Sequence, residues 1–154
     1  MIKKYLLSIV LITILSNCGF KAIDTNLYNF SLNEITVSGD KKINFILKNK
    51  LKTVSNKNEY NIKLNINSQK SKNIKEKNIK NEITKYLITI SVSVDYNIIE
   101  FSKIGNFKIE KSRSYDVEKQ YSRTITNEKN LIESLTKEIS DEITNTLIVI
   151  TNDL

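Results

Sequence analysis

Residues 88–98 alternate without a break: Ile88, Ile90, Val92, Val94, Tyr96 and Ile98 are apolar, and Thr89, Ser91, Ser93, Asp95 and Asn97 between them are polar. A period of two puts every apolar side chain of a strand on one face and every polar one on the other. A strand of that kind is stable only where another layer covers its apolar face, so the rest of the chain has to supply that layer.

Two segments have the right pattern for it. Ile43, Ile46, Leu47, Leu51 and Val54 recur at helical spacing, with Lys42, Lys48, Asn49 and Lys52 on the far side, and Ser38-Gly39-Asp40 before them is turn chemistry that also caps a helix. Leu131, Leu135, Ile139, Ile143, Leu147 and Ile150 form a longer stripe, for which Asn127 is the expected cap, with Glu133, Lys137, Glu138, Asp141 and Glu142 elsewhere on the surface. Three further strands are expected. A short one holds Ile35 and Val37. A second alternates through Tyr60, Ile62, Leu64 and Ile66. A fourth in order follows a turn at Lys103-Ile104-Gly105-Asn106 and puts Phe107, Ile109, Lys111, Arg113, Tyr115 and Val117 on one face, where Lys111 and Arg113 interrupt the apolar set. The lysine-rich stretch 68–82 breaks the alternation and is expected to be an exposed hairpin loop. The order β-α-β-β-β-α implies an α+β two-layer sandwich, a mainly antiparallel four-stranded sheet with both helices on one face.

The 154 residues allow one domain. Histidine, tryptophan and proline are absent, glycine occurs three times and cysteine once. Zinc sites, Cys/His or Ser/His dyads and glycine-rich phosphate loops need residues this chain lacks, so no catalytic residue, metal or cofactor is expected. Asp95 and Glu100 are the one carboxylate pair that invites a glycosidase reading, but no aromatic platform or partner accompanies them. The formal charge of +7 raises the question of nucleic acid. Against it stand the Lys, Asn and Ile excess typical of AT-rich coding and the presence of only two arginines, Arg113 and Arg123, the residue type that base and phosphate forks favour.

The N-terminus explains the single cysteine. Lys3 and Lys4 precede an apolar run from Tyr5 to Leu15, too short for a helix that needs about 20 residues to cross a bilayer. Leu15-Ser16-Asn17-Cys18 resembles the bacterial lipobox, with Asn17 in place of the usual Gly, Ala or Ser. Residues 1–17 then read as a lipoprotein signal peptide, Cys18 as the lipid attachment site, 18–33 as a tether with Phe20, Tyr28 and Phe30 as anchoring aromatics, and 34–154 as the domain. Several acyl chains on one cysteine make a stable anchor where one chain is marginal. Gly19 after the cysteine, by resemblance to enterobacterial sorting rules, points to the outer membrane.

Cys18-Gly19-Phe20-Lys21, the tether, the order of strands and helices, the segment Arg113-Ser114-Tyr115 to Tyr121-Ser122-Arg123, and the closing helix with Leu131, Leu135, Ile139, Ile143 and Leu147 together resemble LptE, the LPS-assembly lipoprotein family. The resemblance implies an outer-membrane lipoprotein, anchored on the periplasmic side, that plugs the β-barrel LptD, supports its assembly and contacts lipopolysaccharide. It also implies basic contact residues in the loop before the long strand and in the segment leading into the last helix. Here these are Lys80 and Arg123, with Lys77 and Lys85 as alternatives; the plain alternative for each is a solvated surface cation. The competing function is an auxiliary lipoprotein of a periplasmic lipid-transport ABC system.

Overall fold

A computed structural model describes residues 29–54 and 60–154. Strand β1 (Phe30–Gly39) is followed by helix α1 (Lys41–Lys52), strands β2 (Tyr60–Lys77) and β3 (Ile83–Ile98), a short 3-10 turn (Ile99–Phe101), strand β4 (Lys103–Asp116) and helix α2 (Tyr121–Asn152). The sheet order is β1-β2-β3-β4, with β1 parallel to β2 and the other pairs antiparallel. The α+β fold and the order β-α-β-β-β-α are those the hydrophobic periods imply.

The alternation of β3 sets the core. Ile88, Ile90, Val92, Val94 and Ile98 are fully buried beside Ile62, Leu64 and Ile66 of β2, under Ile43, Leu47 and Leu51 of α1 and Leu135, Ile139, Ile143 and Leu147 of α2. The opposite face keeps Lys63, Asn65, Asn67, Ser93 and Asp95 in solvent. Buried Thr136, Thr144 and Thr151 of α2 donate their hydroxyls to the carbonyls of Ile132, Ser140 and Leu147, which lets small polar residues lie inside without an unpaired group.

Asp40 caps α1, accepting from the amides of Lys42 and Ile43 at 3.0 and 3.1 Å. The chain reaches it through Gly39, whose φ of 97° lies in the left-handed region. A Cβ there would sit 1.9 Å from the carbonyl oxygen of Ser68 on β2. Only glycine fits this crossover.

Five local expectations change. Residues 30–33, expected in the tether, are strand, and Phe30 is fully buried. The stretch 68–82 is mostly not loop: β2 continues to Lys77 because its backbone keeps pairing with β3, although its hydrophobic alternation stops at Ile66 and β1 does not accompany it beyond Ser68. The turn before β4 lies at Ile99–Ser102, with Ser102 at φ 50°, and Gly105 is inside the strand, under the ring of Tyr96. Helix α2 starts at Tyr121 and not at Asn127; Gln120 holds the N-cap position without a side-chain bond. Arg123 therefore belongs to the first turn of the helix and not to a segment leading into it. Cys18, Phe20 and Tyr28 lie outside the described residues.

Lys111 and Arg113 interrupt the apolar face of β4 because α2 offers them partners. Lys111 pairs with Glu142, and Arg113 donates to Glu138 at 3.1 Å, so helix carboxylates complete what the strand leaves polar.

Candidate functional site

The molecule has two distinct ends. Asn29, just before β1, donates its side-chain amide to Asn152 at the end of α2 at 3.3 Å, and the start of β2 and the β3–β4 turn lie at that same end. The 18 residues of β2 extend about 60 Å from there at roughly 3.3 Å per residue. At the far end the β2–β3 hairpin overhangs both neighbours: β1 stops opposite Ser68 and β4 stops opposite Lys85.

Lys80 sits in the turn of this overhang. Asn78 organises it, accepting at its side-chain oxygen from the amides of Lys80 and Glu82 at 2.9 and 3.0 Å and donating its side-chain amide to Glu82 at 2.8 Å, while Asn81 takes φ 63°. The Lys80 side chain projects into solvent. The two alternatives are engaged: Lys77 donates to Asn81 at 3.0 Å, and Lys85 pairs with Glu76 at 2.8 Å. That pairing raises the pKa of Lys85.

Arg123 lies at the same end, exposed on the first turn of α2. Its neighbour Thr124 is buried and fixes the approach, accepting from the amide of Glu118 at 2.8 Å. Among the described residues neither Lys80 nor Arg123 forms an ion pair, and no hydrogen bond joins them. They share an end and not a contact. Lys119, between β4 and α2, is a third exposed cation there, and sequence reasoning missed it because no periodicity marks that loop. The first turn of α2 holds no acidic residue and no side-chain cap, so the positive end of its dipole is uncompensated there and favours an anion.

A cluster set back from the tip ties these pieces together. Lys72 of β2 donates to Glu128 of α2 at 2.6 Å, and the hydroxyl of Tyr115 on β4 donates to the same carboxylate at 2.7 Å. The Lys72 ammonium lies 4.2 Å from the centre of the Tyr86 ring, and the Tyr86 and Tyr115 rings stack with centres 5.8 Å apart. Burial works against both charges, yet the Lys72–Glu128 contact outweighs it, holding the lysine above and the glutamate below its ordinary range. One carboxylate thus joins β2, β4 and α2 behind the tip. Sequence reading left Lys72 among the loop lysines because pairing across 56 residues leaves no local pattern.

Asp95 and Glu100 are not brought together as an acid–base pair. Glu100 accepts from the backbone and side-chain amides of Asn61 at 2.6–3.0 Å, which lowers its pKa, and Asp95 lines a shallow cavity of about 240 Å³ on the open face with Tyr96, Asn97 and Ile104. Among the described residues no three metal-ligating side chains gather, and no helix is long and apolar enough to cross a membrane.

No family model matches the chain, and no curated protein matches it. Solved structures do. Rare lipoprotein B from Shewanella oneidensis is similar over 79% of this chain and 98% of its own, at 13% identity and a TM-score of 0.58. Uncharacterized lipoprotein B from Nitrosomonas europaea is similar over 87% of this chain and 93% of its own, at 14% identity and a TM-score of 0.60. A DUF330-family protein from Xanthomonas campestris is similar over 80% and 86%, at 11% identity and a TM-score of 0.50. The chain thus shares its fold with bacterial lipoproteins.

Proposed function

We propose that the protein is a lipid-anchored outer-membrane lipoprotein of the LptE type, which enters a β-barrel of the LptD type as a plug, supports its assembly and contacts lipopolysaccharide in transit. The observation that carries this reading is the polarity of the molecule. The tether joins at one end of a narrow sheet, and the unpaired cations Lys80 and Arg123 stand at the other, about one strand length away. An acylated Cys18 holds the first end at the periplasmic leaflet, and the second is free to meet phosphorylated lipid inside a barrel. Charge-assisted contacts from lysine and arginine are the strong ones for phosphate.

The fold shared with bacterial lipoproteins and the lipobox-like Leu15-Ser16-Asn17-Cys18 support the anchor. The commitment of Glu100 to Asn61, and of the cluster behind the tip to holding strands and helix together, supports a reading in which the protein binds and does not catalyse. The deciding experiment is affinity purification of the acylated protein from detergent-solubilised envelopes. Co-purification of a large outer-membrane β-barrel is the expected result. Recovery of an inner-membrane ATPase complex instead overturns the plug and supports the auxiliary ABC lipoprotein.

A further inference from the structure

Within six residues of the β3–β4 turn, three large apolar side chains stand in solvent: Ile99 is 44% exposed, Phe101 50% and Ile104 75%. Single exposed apolar residues are ordinary on any surface, whereas several on one short turn mark a contact. This turn is pinned and not loose. The carboxylate of Glu100 is held by both amides of Asn61, the amide of Ser102 donates to the Ile99 carbonyl at 3.3 Å, and the Phe101 ring lies 5.5 Å from that of Tyr60. Ile99 and Ile104 line one shallow cavity with Lys63, Asn97 and Ser102. The side chains are presented outward by a fixed backbone.

Their place in the fold says what covers them. The turn lies at the end where Asn29 meets Asn152, and two more exposed apolar residues, Val149 and Leu154, stand near the close of α2 there. Cys18 is 11 residues before Asn29, so a chain held by acyl groups on that cysteine keeps this end within about 40 Å of the bilayer. Local charge is balanced, with Lys63 paired to Glu34 at 3.1 Å and Lys103 near Glu100 in sequence, so attraction to anionic lipid is not the driving force. We infer that the turn carrying Ile99, Phe101 and Ile104 docks into the interfacial layer of the phospholipid leaflet that holds the anchor, so that the domain meets the membrane through its own surface as well as through its lipid. This rests on the lipoprotein reading for its geometry, and the test below supplies the tether chemically.

The native chain has no tryptophan and one cysteine. Mature protein beginning at Cys18 is coupled through that thiol to a maleimide phospholipid in phosphatidylcholine vesicles with brominated acyl chains. Phe101→Trp is expected to emit at shorter wavelength than in solution and to be quenched at least twofold, while Ile79→Trp in the far hairpin turn is not quenched. Adding Ile99→Ser and Ile104→Ser to Phe101→Trp is expected to abolish the quenching, with unchanged circular dichroism showing that the fold is intact. Equal emission from Phe101→Trp and Ile79→Trp overturns the inference, as does quenching that survives the two serine substitutions, because the tether alone then brings the turn to the lipid. Whether cells acylate Cys18 is read separately, from the mass of the membrane-extracted protein.

Discussion

The Nζ of Lys72 on β2 lies 2.6 Å from Oε2 of Glu128 on α2, and the same oxygen accepts the Tyr115 hydroxyl at 2.7 Å. The carboxylate is held below its ordinary value of 4.5, so it stabilises the fold at pH values above that figure, and the stabilisation is lost as pH falls through the depressed folded-state value. The Lys72 side chain is 36% exposed, which screens the pair and limits the effect of Glu128→Gln to about 1 kcal/mol at pH 7. Urea unfolding followed between pH 3 and 7 should show the wild type losing its advantage over Glu128→Gln on the acidic side. Parallel stability curves for the two proteins contradict this role.

Gly39→Ala should be far more damaging. The added Cβ meets the backbone carbonyl of Ser68, which no rotamer change relieves, and the left-handed φ strains any other residue. A loss of about 3 kcal/mol or more is expected, seen as a large fall in Tm or as failure to accumulate folded protein. Gly105→Ala meets only the Tyr96 side chain and should cost less.

Lys80→Asp combined with Arg123→Asp should leave the thermal unfolding curve in place, because neither side chain has an ion-pair partner among the described residues. Lipopolysaccharide binding, measured on immobilised protein, should weaken by about tenfold or more. Equal binding by wild type and double variant assigns both cations to the solvated surface.

In cells that lack the barrel partner, where no plug contact can hold the protein, Cys18→Ala should move it from the membrane to the soluble fraction, because an acylated Cys18 is then the main attachment. The interfacial turn adds too little apolar surface to hold the domain alone. Unchanged sedimentation with membranes removes the anchor.

Much of the site was legible because it depends on local signals. The Asp40 cap, the stripes of both helices and the alternating faces of residues 60–66 and 88–98 follow from spacing and turn chemistry. Lys80 and Arg123 were reachable from family resemblance, and their shared end was not, because it depends on how far β2 and β3 continue past β1. The hairpin extension escaped because its pairing is made by backbone groups, while its β2 side chains are polar, Lys72 meeting Glu128 of α2 where an alternating strand would place an apolar residue. Helix α2 began six residues earlier than Asn127 because buried Thr124 anchors the entry from outside the apolar stripe.

By itself the amino-acid order determined the apolar side of both helices and of the alternating parts of the strands, and therefore the two-layer sandwich, since period and polarity are properties of neighbours along the chain. Only the tertiary structure decided which lysines are spent on partners and which stay free, because Glu128, Glu138 and Glu142 reach β2 and β4 from a helix that is distant in sequence. It also decided that Asn29, where the described chain begins, and the cations Lys80 and Arg123 stand at opposite ends, a separation set by strand length and register.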